Sequence, residues 1–170
     1  MLGAPPPIIT PITTTPSNHN DVSEPLQDPA QWPSVANATR IANLFRYQLL
    51  PHLYSLHFRA ALFGGTVVRP VFFEFPNDPV THTLSHQFMW GSSILVVPVI
   101  NAVGRAPSPD NCITQNVTTV RGYLPPQAQW YSMTTAHKYG QLMPGGYSTF
   151  NAPRDTPLPA FVRGRSGETN

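Results

Sequence analysis

Charge is what this sequence has least of. Asp, Glu, Lys and Arg make up 11% of its 170 residues, and the net charge is only +2. The ten Lys and Arg residues are scattered, with no basic run. Nucleic acid and anionic membrane surfaces are therefore set aside as partners. Cysteine is nearly absent. Cys112 stands alone, which excludes an intrachain disulfide. It reads as a small, partly buried residue beside Ile113, because nothing in the sequence points to a base that would activate it. No segment is long and apolar enough to span a bilayer. The first ten residues lack a basic segment, and Pro5, Pro6 and Pro7 interrupt their only apolar stretch, so no signal peptide is read there. Metal and cofactor motifs are missing as well. His82 and His86 are four apart, as paired zinc ligands on a helix are, but no third ligand and no HExxH accompanies them. No cofactor is expected.

What is present is an apolar content of 41%, enough for a folded core. It is unevenly placed. Met1 to Pro16 is Pro, Thr and small or aliphatic residues, and proline's missing donors exclude helix and central strand, so this lead is expected to be disordered. Asn18 to Trp32 reads as a polar loop. A helix follows to about Phe63, capped by Ser34 or Asn37. Ile41, Phe45, Leu49, Leu53, Leu56, Ala60 and Phe63 recur at spacings of three and four, which gathers them on one face. Leu44, Leu50 and Phe58 widen the apolar surface and predict burial on more than one side. Pro51 predicts a kink, and Gly64-Gly65 a stop.

From Thr66 the pattern changes to β. TVVRPVFFEF reads as extended, with Pro70 confining it to an edge or a break. Pro76, Asn77 and Asp78 make a turn. Leu84 to Trp90 is ambiguous and admits a helical turn. Ile94 to Ile100 is a nearly continuous apolar strand. Further strands are expected at Asn116 to Leu124, Trp130 to Met133, Ser148 to Ala152 and Pro159 to Arg163. Turn signals at 107–110, 125–126 and 144–146 separate them. Short strands at regular spacing predict an antiparallel sandwich. The chain thus divides into a lead over 1–16, a loop and helix over 17–65, and a β-domain over 66–170. The stable unit is expected from about Thr66 to Gly164.

Several blocks carry a resemblance. RYQLLPHLY, GGTVVRPVFFEFPND, HQFMWGSSILVVPV, GYLP with WY, and APRDTPLPAFVRG occur in one order over roughly residues 17 to 164. Together they resemble glycoside hydrolase family 31, the α-glucosidase family. SNHN at Ser17 to Asn20 is similar to that family's R-N-H-N loop, with Ser17 where arginine is usual. SNHNDVSEPLQDPAQW and LLPHLYSLHF are closer to the lysosomal and intestinal maltase branch. The resemblance implies an α+β fragment. Residues 17–65 would be the last loop and helix of a (β/α)8 barrel, and 66–170 a proximal C-terminal β-sandwich domain. The family's upstream carboxylate motifs are not in the sequence. After Gly164, RGRSGETN departs from the family pattern. A truncated or misassembled gene product is the resulting expectation.

The resemblance also implies roles. His19 would hydrogen-bond the sugar in the −1 subsite. An imidazole offers one donor and one acceptor, which suits a pair of sugar hydroxyls, and barrel sites lie on loops at strand ends. Without the resemblance, a lone His in a polar loop is most simply solvated. A retaining glycosidase needs two carboxylates about 5–5.5 Å apart. Asp21, Glu24, Asp28, Glu74 and Asp78 are the candidates, and none lies in a nucleophile or acid motif of the family. Catalysis is therefore assigned to none of them. Glu74 is expected on a strand in a structural hydrogen bond. Tyr123, Trp130 and Tyr131 could stack on sugars, but alternation favours a core role. Arg46 and Arg69 read as structural. Asn37 and Asn116 open N-glycosylation sequons. The reading is part of an enzyme hydrolysing terminal α-linked glucose in an α-glucoside or oligosaccharide, inactive as this chain alone. The other reading is a non-catalytic carbohydrate-binding or interaction module. The family's setting is the secretory pathway, lysosomal or extracellular, while the chain itself assigns no compartment.

Overall fold

The structure is a computed structural model that describes residues 32–99, 119–134, 138–153 and 155–164. Helix α1 (Pro33–Gln48) opens on a proline, where a missing N–H costs nothing. Trp32 is its N-cap and offers no side-chain bond, so Ser34 and Asn37 are not caps but lie inside the helix. The chain breaks for one residue at Leu49 (φ -98°, ψ 4°), and α2 (Leu50–Phe63) follows. The expected kink thus falls two residues before Pro51. Proline cannot donate to the carbonyl four residues back and its ring crowds that carbonyl. Breaking at Leu49 puts Pro51 in the first turn of a new helix, where neither problem arises. Gly64, at φ 76°, ends α2 with its N–H on the Ala60 carbonyl at 3.0 Å.

The extended run expected from Thr66 is shorter than the sequence implied. Strand β1 (Val68–Pro70) stops at the proline, and Val71–Phe73 turns into a 3-10 helix. A second 3-10 helix, Pro79–Thr83, is capped by Asp78, whose carboxylate accepts from the Val80 N–H. The ambiguous segment resolves into β2 (Phe88–Trp90), not a helical turn, and β3 (Ile94–Val96) follows. The rest is β4 (Thr119–Leu124), β5 (Trp130–Ser132), β6 (Leu142–Met143), β7 (Gly146–Asn151) and β8 (Ala160–Arg163). Strand β6 is the one that the residue pattern had not marked.

These strands do not form two comparable sheets. Six of them make one antiparallel sheet in the order β1-β2-β3-β8-β5-β6, and β4 and β7 pair as a separate ribbon. β1, with its proline, takes the edge, where no ladder donor is missed. Strand β3 shows why the layers stack. Its side chains alternate between faces. Ile94 and Val96 meet Trp90 and α2 residue Leu53 on one side. Leu95 and Val97 meet Val120, Leu124 and Phe150 of the ribbon on the other. The unit is therefore a small α+β fold, mostly antiparallel sheet, with α2 against one face and the ribbon against the other.

The docking of α2 changes the fate of the helical face. Phe45 on α1 and Leu53 on α2 are both buried. Leu44, Leu50 and Phe58, expected to be buried, are exposed. A sheet covers one side of a helix and no more. Gly91, at φ 58°, lets the β2–β3 turn approach α2, since a Cβ there would lie 2.6 Å from Leu56.

Gly122 brings ribbon and sheet together. A Cβ at that position would stand 2.8 Å from Val97 and 3.0 Å from Phe150. Gly122→Ala should cost about 1–3 kcal/mol through overpacking. Paired with Val97→Ala, it should cost less than the sum of the two single changes in urea unfolding. Strict additivity would show that the layers are not in contact there.

Candidate functional site

Three carboxylates lie among the described residues: Glu74, Asp78 and Asp155. Glu74 follows the first 3-10 turn instead of sitting on a strand. Its Oε1 accepts from Arg69 Nη1 at 2.5 Å, and Oε2 lies 3.5 Å from Arg163 Nη1. Arg163 also covers the Phe75 ring at 4.8 Å. Arg69 Nη2 donates to the Thr66 carbonyl at 2.7 Å. This ion triad ties β1, the 3-10 turn and β8 together. Both oxygens of this carboxylate are engaged by guanidiniums within the fold, so the geometry supports the structural reading of Glu74 and Arg69.

Asp78 is the centre of a buried polar clasp. Its Oδ2 accepts from the Tyr123 hydroxyl at 2.7 Å and from Gln127 Nε2 at 3.4 Å. Its Oδ1 caps the 3-10 helix through Val80. Gln87 completes the clasp. It accepts from the Tyr123 N–H at 2.9 Å and donates to the Tyr123 carbonyl at 2.6 Å. The ribbon is thereby pinned to the segment leading into β2. Gln87 escaped the reading of the sequence, because a lone glutamine beside a histidine carries no periodic signal.

Tyr123 and Trp130 are buried in the main core, and the indole N–H of Trp130 donates to the Pro125 carbonyl at 2.9 Å. Neither forms a sugar platform. Tyr131, half-buried, donates to Gln129. His82 bonds the Pro76 carbonyl from a 3-10 helix, and His86 lies beyond that helix, so the two do not share a helical face. No group of three metal-ligating side chains occurs among the described residues. Arg46 lies in the last turn of α1, where its charge opposes the helix dipole. Asn37 is exposed near the start of α1, while Thr39 of the same sequon is buried. His19, Asp21, Glu24, Asp28, Cys112 and Asn116 fall outside the described residues. One small pocket of about 130 Å³ opens between the end of α2 and the β2–β3 turn, with Leu56, Arg59, Phe63 and Arg69 on its walls. No residue pattern marked it, since Arg59 and Arg69 come to line one pocket only once α2 docks on the sheet.

Residues 64–166 match the glycosyl hydrolase family 31 C-terminal domain. Lysosomal alpha-glucosidase from Bos taurus is 37% identical over 153 residues, covering 82% of this chain and 15% of that protein. Intestinal sucrase-isomaltase from Homo sapiens is 34% identical over 148 residues, covering 86% of this chain and 7% of that protein. A mutant of a Flavobacterium johnsoniae GH31 dextranase, complexed with isomaltotriose, superposes with a TM-score of 0.64 at 28% identity. It covers 81% of this chain and 15% of the dextranase. The chain thus spans about 15% of the length of the first of these relatives. Among the described residues, no helix is long and apolar enough to cross a membrane.

The clasp has a pH signature. Burial, then the hydrogen bond to Asp78, then the charges of Asp78 and Tyr147 push the Tyr123 phenol from 10.0 up to about 12. The folded chain keeps this proton where the unfolded chain has released it. The linked stability is complete below pH 10 and drains away as pH rises to about 12. Tyr123→Phe should cost about 1–3 kcal/mol at neutral pH through the lost hydrogen bond. Its stability should then fall less steeply over the alkaline range than that of the parent. Parallel alkaline slopes in urea unfolding would remove Tyr123 as the cause.

Proposed function

The chain belongs to glycosyl hydrolase family 31, and from that premise we propose that it is part of an enzyme hydrolysing terminal α-linked glucose by a retaining, two-carboxylate mechanism. The observation that carries this reading is the family match over residues 64–166 together with alignment to α-glucosidases beyond it. The lysosomal alpha-glucosidase and the sucrase-isomaltase are glycosidases by name, and the dextranase holds isomaltotriose. An α-glucoside or short oligosaccharide is accordingly the proposed substrate.

Within that enzyme the described residues serve as a scaffold. Glu74 is held by Arg69 and Arg163, and Asp78 by Tyr123. Neither is free to serve as nucleophile or general acid. Residues 17–65 are proposed as the last loop and helix of the catalytic barrel, with His19 on the loop contributing hydrogen bonds to the bound sugar. The β-domain from 66 onward braces that helix through Leu53 and its neighbours. In this reading the nucleophile and the acid come from elsewhere in the full-length enzyme.

Two outcomes follow. The purified chain should leave maltose and a chromogenic α-glucoside intact, because losing both carboxylates removes the covalent route. Turnover that survives repurification and vanishes on mutating Asp21, Asp28 or Glu74 would sink this reading. In an assembled full-length enzyme, His19→Ala should lower kcat/KM about ten- to hundred-fold, through hydrogen bonds worth about 1–3 kcal/mol. Unchanged kinetics would remove His19 from the substrate site.

A further inference from the structure

The pocket at the end of α2 gathers more positive charge than the fold uses. Arg59 of α2 and Arg69 of β1 both line it, with Thr66, Ser92 and the apolar Leu56 and Phe63. Arg69 donates to Glu74 and to the Thr66 carbonyl, while its buried Nε has no hydrogen-bond partner among the described residues. A guanidinium carries five N–H donors, so this one keeps donors in reserve. Arg59 is exposed. The ion pairs among the described residues join Arg69 and Arg163 to Glu74, and none involves Arg59. Residues 50–63 contain no Asp or Glu to offset it. Neither Asp78 nor Asp155 lines the pocket. Glu74 is thus the one carboxylate at this margin, and Arg69 and Arg163 already share it.

Two guanidiniums on one pocket select an anion. The planar fork of arginine matches paired oxygens, as a carboxylate or a phosphate presents them. The remaining walls decide between these two. Leu56 and Phe63 offer apolar surface, which a phosphate leaves unused. An organic carboxylate sets its head against the guanidiniums and its carbon chain against those side chains. Size narrows the choice further. A cavity of about 150 Å³ holds one benzene-sized molecule, so the 130 Å³ found here admits a chain of a few carbons.

We propose that this pocket binds a small organic carboxylate, with Arg59 and Arg69 on its oxygens and Leu56 and Phe63 against its carbon chain. The proposal stands on the pocket alone. It does not require the reading of the chain as part of a glycosidase.

The test titrates the 170-residue chain with butyrate, acetate, phosphate and chloride at constant ionic strength, read by amide NMR shifts and by thermal midpoint. Butyrate should bind one site with a Kd on the order of 1 mM. At ten times that concentration it should raise the midpoint by about 3–6 °C. The amides of Thr66 and Ser92 should move first. Acetate, two methylenes shorter, should bind about five- to ten-fold more weakly. Phosphate should also bind more weakly than butyrate, and chloride should shift none of these signals. Arg59→Ala, at an exposed position, should move the midpoint of the free chain by less than about 2 °C and weaken butyrate at least about ten-fold. Arg59→Lys keeps the charge without the fork and should lose less than alanine does. Phe63→Ala should weaken butyrate more than acetate. Phosphate or acetate binding as tightly as butyrate overturns the proposal, since the apolar wall would then select nothing. Butyrate shifts spread over all the arginines, or unchanged by Arg59→Ala, overturn it as well. Should Arg59→Ala fail to fold, the order of butyrate over acetate and phosphate in the parent, together with Phe63→Ala, decides the matter.

Discussion

Strand β3 is apolar on both faces, and the rest of the unit is arranged to cover them. Ile94 and Val96 demand one apolar partner layer, Leu95 and Val97 another. Strands with this composition belong in a sheet covered on both sides. The helix α2 supplies the first layer and the β4–β7 ribbon the second. Neither layer would be stable by itself. A two-stranded ribbon is marginal in water, and an isolated helix the length of α2 gains little from propensity alone. Each is held by the sheet it covers.

Polar contacts then fix what apolar packing leaves adjustable. The ribbon could slide over Leu95 and Val97, since dispersion contacts are not directional. Gln87 prevents it by holding the Tyr123 backbone through both its donor and its acceptor. Asp78 does the same at the side chain, and also caps its own 3-10 helix. At the opposite margin, Glu74 joins Arg69 of β1 to Arg163 of β8. These groups lie far apart in sequence. Their function in the fold is register, and that occupies the carboxylates which a search for catalysis would have noticed first.

Much of this was legible in the residues. The run Ile94 to Ile100 announced an apolar strand, of which Ile94–Val96 forms β3, Pro70 an edge, Gly64-Gly65 a helix end, and the strands near Trp130, Phe150 and Phe161 were each marked by their turns. What was not legible has a common physical cause. Helical periodicity shows that a helix has an apolar face, but not which neighbour arrives to cover it. With both faces of α2 apolar, the sequence could not say that Leu53 would find the sheet and Phe58 would not. Val71–Phe73 reads as β by composition, yet Pro70 ends the ladder, and the ion pair from Arg69 to Glu74 bridges the turn that follows. The clasp was invisible because Gln87, Asp78 and Tyr123 form a site only after folding. The proposed sugar contact, His19, was legible only through resemblance of the SNHN loop and lies outside the described residues.

The helix pair therefore stands at a boundary between two packing problems. Its inner face is solved by β3, with Leu49, Leu53 and Leu56 against Trp90, Ile94 and Val96. Its outer face is as apolar as the inner one and is bordered by cations only. A helix apolar on both sides belongs between two layers. A sequence shaped only for the sheet would have placed polar residues at Tyr54, Phe58 and Leu62, since nothing in the observed unit rewards apolar ones there. Among the described residues that outer face therefore has no covering layer, and the sheet alone does not account for its composition.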